Sequence, residues 1–155
     1  MATATAAEQV LQELKTALED ITVANGYKTD IGVVEFEEKM PENIYSYPAI
    51  AISEIGTDED QDSFADYNAY WMRCLLEGFI ESTLDKKGLA GQLCGDIRDR
   101  LFSELPAVLG SLSRQVKIDS TFRIYGDESD PRAGFLMVIR IYFRTPIQDS
   151  FTLIP

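Results

Sequence analysis

Four acids fall within five positions of "IGTDEDQDSF" (55–64): Asp58, Glu59, Asp60 and Asp62, with Asp66 close behind. Asp58, Asp60 and Asp62 have the alternate spacing with which a calcium-binding loop begins. The pattern then breaks at its two most diagnostic places. Ser63 stands where such a loop needs glycine, and Ala69 stands where it needs a bidentate glutamate. The knot therefore reads as a solvated acidic loop between two strands rather than a metal site.

A second stretch, "KKGLAGQLCG" (86–95), combines lysines and glycines as a phosphate cradle does. It lacks the Gly-Lys-Ser/Thr ending, and its glycines lie inside a helical pattern instead of before it. Gly88, Gly91 and Gly95 are expected to mark close packing against a sheet or a subunit. The carboxylate pairs Asp96 with Asp99 and Asp127 with Asp130 would need a pocket to act as acid and base. Asp96 and Asp99, flanked by Arg98 and Arg100, read as a solvated helix face.

The chain has no histidine, which removes the commonest general base and the Ser-His and Cys-His pairs. Cys74 and Cys94 lie in apolar surroundings without CxxC spacing, as core thiols do. Neither a catalytic residue, a cofactor nor a metal ion is expected.

Charge is segregated. Residues 1–66 hold 15 acids against 3 bases, a net −12, whereas residues 67–155 hold 11 of each. Such a chain is poorly suited to gripping a phosphate backbone, yet suits a surface that DNA must pass without sticking. No apolar run approaches the ~20 residues of a membrane span, and "MATATAAEQV" lacks the basic and apolar regions of a signal peptide. The expected place of synthesis is the cytoplasm.

The elements that must position these residues follow from periodicity. Val10, Leu11, Leu14, Leu18 and Ile21 predict a helix over 7–24, stopped by "NGY". "TDIGVVEF" (29–36) and "YPAIAISEI" (47–55) read as strands, with Pro48 at a strand start or edge. Residues 67–82 alternate as a long strand, and Leu89, Leu93, Ile97, Leu101 and Leu105 predict a helix over 85–105. Two final strands span 113–126 and 135–146; in the first, Val116, Ile118, Phe122 and Ile124 share one side. The expected fold is a single α+β domain over 1–155: a mixed, mainly antiparallel sheet of about five strands with two helices packed on one face.

Two of these strands are apolar on both sides, so both sheet faces need cover. Trp71, Arg73, Leu75, Phe79, Arg140, Tyr142 and Arg144 are the candidate subunit interface. Loops and the tail "SFTLIP" are the alternative cover for that face.

A helix ending in "ANGYKTDIG", a strand, "YPAIAI", an acidic loop, a long strand, a helix and a final hairpin resemble the tail terminator (tail-completion) proteins of tailed bacteriophages. The resemblance spans nearly the whole chain. It implies a non-enzymatic virion protein that forms a homo-hexameric ring on the tail tube protein and faces the neck or connector. It implies no catalytic residues. In such a ring the acids at 58, 59, 60, 62 and 66 would either line the channel and repel DNA or dock a basic neck or sheath subunit. A small acidic carboxylate or metal-dependent enzyme, and a monomeric adaptor for a basic partner, are the alternatives.

Overall fold

The computed structural model describes residues 2–60, 66–102 and 115–154. Helix α1 (Ala6–Glu19) starts at a reciprocal cap: the Thr5 hydroxyl accepts from the Glu8 N–H, and the Glu8 carboxylate accepts from the Thr5 N–H at 2.6 Å. The helix ends five residues before its apolar stripe predicts. Thr22 accepts from the Asn25 N–H and Asn25 Nδ2 donates to the Asp20 carbonyl, so local side-chain bonds replace the helical ladder with a 3-10 turn, Val23–Asn25. Gly26 closes that turn with φ of 94°, where a side chain would be strained.

Five strands follow: β1 (Val33–Phe36), β2 (Ala49–Glu59), β3 (Tyr67–Glu81), then after helix α2 (Lys86–Leu101) the hairpin β4 (Gln115–Tyr125) and β5 (Arg132–Pro146). Their order is β1-β2-β3-β5-β4, with β1 parallel to β2 and every other pair antiparallel. This is the mixed, mainly antiparallel sheet expected. Both helices lie on one face, where Leu14, Leu18, Leu93 and Ile97 close over Ile50, Met72, Leu76, Phe135, Met137 and Ile139.

Three expectations need correction. β1 is only four residues long, because Thr29 and Asp30 serve the turn before it: Asp30 accepts from the Val23 N–H at 2.7 Å. β2 runs on to Glu59, past an irregularity at Ile55, so Asp58 and Glu59 are paired strand residues opposite Trp71 and Tyr70. In β4 the extra residue Asp119 makes a bulge between Ile118 and Ser120. Each residue beyond a bulge takes the other face. Val116 and Ile118 therefore face the helices, while Phe122 and Ile124 project from the opposite side.

Helix α2 ends at Leu101, and 103–105 lie outside the described residues. Leu89 is exposed, not part of the buried stripe. Of the α2 glycines only Gly88 is closely approached, and by the Asp85 carboxylate that caps the helix rather than by the sheet. Nothing lies within 4 Å of a side chain built at Gly95, and Gly91 has ordinary room beside Arg123. Gly95→Ala is accordingly expected to stabilise the protein by about 0.5–1 kcal/mol, read as a higher urea midpoint.

Candidate functional site

The face of the sheet away from the helices carries the residues that chemistry can use. Across β3, β5 and β4 the register sets Trp71 beside Tyr142 and Gln115, Arg73 beside Arg140 and Lys117, and Leu75 beside Val138 and Ser120. Further along, Glu77 sits beside Leu136 and Phe122, and Phe79 beside Gly134 and Ile124. All seven candidate interface residues, Trp71, Arg73, Leu75, Phe79, Arg140, Tyr142 and Arg144, share this face. Alternation along two long strands places them there.

One end of the face is cationic and aromatic. Lys117 Nζ lies 4.5 Å and Arg140 Cζ 5.6 Å from the Trp71 ring centroid, and Arg144 lies 4.7 Å from that of Tyr67. Contacts of this kind contribute about 0.5–1 kcal/mol at exposed sites. Trp71 meets Tyr142 edge to face at 5.2 Å. Arg73 and Arg140 stand directly opposite each other, a costly arrangement for like charges. Each is offset by a carboxylate on its flank: Asp58 at 3.3 Å from Arg73 and Asp119 at 2.9 Å from Arg140.

The acidic knot is thereby partly folded into this face. Asp58 pairs with Arg73, and Asp60 accepts from Trp71 Nε1 at 3.0 Å. Asp66 is exposed in the turn before β3, and Asp62 lies outside the described residues. Among the described residues no group of three acidic or thiol side chains is placed to hold a metal ion.

The other end of the face is apolar. Phe122 and Ile124 are 60% and 53% exposed, beside the half-buried Leu136 and Phe79. The C-terminal segment does not cover it. Leu153 joins the core beneath the helices, Gln9 Nε2 donates to the Phe151 carbonyl, and the Ile154 N–H donates to the Arg144 carbonyl.

Sequence reasoning missed Lys117 as the partner of Trp71, and Phe122 and Ile124 as members of this surface. No residue signalled it in advance: Asp119, which carries the bulge, is followed by the equally polar Ser120 and Thr121. It also misplaced Asp96, which is buried: both carboxylate oxygens lie 3.1 Å from the Lys28 N–H. Burial, reinforced by Glu54, pushes the pKa of the Cys74 thiol up to about 12, and burial also raises that of Cys94, opposed by Arg123.

No known protein family matches the chain, and no curated protein matches it. Among solved structures, a chain from the virion of a native gene transfer agent particle has the same fold. It superposes with a TM-score of 0.52 over 86% of this chain and 90% of that one, at 9% identity. The likeness thus covers most of both chains, and it is a likeness of fold. No described helix is long and apolar enough to cross a membrane.

Proposed function

We propose that this chain is a non-enzymatic structural protein of a phage-like virion, a tail terminator that forms a homo-hexameric ring on the tail tube and joins it to the neck or connector. The observation that carries this reading is the fold likeness, over most of both chains, to a chain of a gene transfer agent virion. A sheet face with two-sided apolar strands and one-sided helical cover supports it, since a neighbouring protein supplies the missing layer. The excess of acids in residues 1–66 suits a channel or rim that lets DNA pass without specific binding. In the ring each of Asp58, Glu59, Asp60, Asp62 and Asp66 recurs six times, as a lumen lining or as a docking rim for a basic neck or sheath subunit.

Two measurements test this. Light scattering on the eluting protein is expected to give a mass close to six times 17.4 kDa at high concentration. Added to polymerising tail tube protein, the chain is expected to bind tube tips and arrest growth. A mass of 17.4 kDa at every concentration, with tube lengths unaffected, would sink the proposal.

A further inference from the structure

The sheet face away from the helices is ordered in rows across β3, β5 and β4. Its central row is Leu75, Val138 and Ser120. On one side of it stand first Arg73, Arg140 and Lys117, then Trp71, Tyr142 and Gln115. On the other side stand first Glu77, Leu136 and Phe122, then Phe79, Gly134 and Ile124.

The two halves are opposite in charge and in shape. The row of Arg73, Arg140 and Lys117 has two flanking carboxylates, Asp58 and Asp119, for three cations. Lys117 forms no ion pair among the described residues, and neither does Glu77 in the other half. Trp71 and Tyr142 make an edge-to-face pair of bulky rings. Gly134 occupies the mirror position in the other half and offers no side chain. It floors a hollow of about 270 Å³ walled by Phe79 and Ile124, with Glu77 and Arg132 at its rim.

We infer that this face pairs with the same face of a second copy, about a two-fold axis that crosses the strands at the Leu75–Val138 row. Sheets packed with their strands aligned can be related by a two-fold axis along the strands or across them. An axis along the strands lays each row on its own copy, so the Arg73, Arg140 and Lys117 rows repel. An axis across the strands keeps each strand over its counterpart and reverses the rows. Arg73 then meets Glu77 of the second copy, Lys117 meets Phe122, and Trp71 meets Phe79. Tyr142 enters the hollow over Gly134. Symmetry makes each of these contacts twice, while Leu75 and Val138 meet their own counterparts as an apolar centre. Every feature of one half has its complement in the other half, and this selects a second copy as the occupant.

A two-fold contact is complete at two copies, so the pairing does not depend on the ring. Its role does rest on the reading above: the pair is the resting form of the free subunit, and it covers the face until a neighbouring virion protein displaces the second copy.

Charge reversal tests the axis. Glu77→Arg sets two arginines against each other at both symmetric contacts, and Arg73→Glu does the same with two glutamates. Each is expected to weaken dimerisation by about 100-fold or more. Both positions lie on the face without helices, so circular dichroism and melting should stay close to wild type. The two variants mixed one to one regain both contacts, as does a chain carrying both changes; each is expected to dimerise as the wild type does. Light scattering at concentrations below ring assembly should give twice 17.4 kDa for the wild type. Emission of Trp71, the sole tryptophan, should shift to the red on dilution as the face opens. A single variant that dimerises normally, a doubly changed chain that stays monomeric, or a wild type that passes from monomer to hexamer without a dimer overturns the pairing and leaves the ring reading standing. A wild-type dimer that meets these tests but never arrests tube growth or forms a hexamer supports the pairing and removes the ring.

Discussion

Phe135→Ala is expected to cost about 3–5 kcal/mol of folding stability, a large share of the 5–15 kcal/mol that holds a typical domain folded. Phe135 is fully buried on β5, directly opposite Gly78 of β3. A side chain built on Gly78 would overlap the Phe135 ring, so the ring occupies the space that residue 78 leaves. Removing it empties that space above a residue with no atoms to fill it. The neighbours cannot collapse inward either, because Ile80 and Met137 are already held under the helices. The check is urea unfolding under monomeric conditions, where the midpoint should fall with the slope unchanged. Gly78→Ala should destabilise for the opposite reason, overpacking by about 1–3 kcal/mol. A loss under 1 kcal/mol for Phe135→Ala would mean that the ring does not fill the gap above Gly78.

The same two strands show what was legible in the sequence. β3 alternates without interruption, and its expected and observed bounds differ by one residue, 67–82 against Tyr67–Glu81. That alternation sufficed to gather the seven interface candidates on one face. β4 alternates as well as β3 does in sequence, yet half of it faces the other way. A bulge leaves no mark in a string of residues when the inserted one is polar and polar residues surround it. What decides the matter is packing: α2 passes close to the second half of β4, where Arg123 lies against Gly91 and Cys94. The acidic knot was misread for a related reason. Asp58 looks like a loop residue until Trp71 and Arg73 stand beside it, and those partners belong to another strand. Caps and turns rest on neighbours within five residues, so Thr5, Glu8 and Gly26 were within reach of sequence reasoning. Asp96 was not, since its partner is 68 residues away.

That partner makes Asp96 the second large effect. Asp96→Ala is expected to cost about 2 kcal/mol, the range for losing a buried hydrogen bond to a charged group. Helix α2 holds the "GYKTD" turn from both sides: Asp96 accepts from the Lys28 N–H, while Gln92 Nε2 donates to the Lys28 carbonyl at 2.9 Å. One turn further on, Arg100 Nε donates to the Ala17 carbonyl at 2.9 Å and its Nη2 pairs with Asp20 at 3.0 Å. A polar edge of α2 thus fastens the end of α1 and the turn that leads into β1. Alanine at 96 leaves the Lys28 N–H without its acceptor and frees the turn. Asp96→Asn keeps an acceptor oxygen of the same shape and should cost less than half as much. Hydrogen exchange separates local from global loss: the Lys28 amide should exchange much faster in Asp96→Ala, while amides of β3 and β5 change only as global stability does. If Lys28 exchange is unaltered, the turn is held by Gln92 and Thr29 instead.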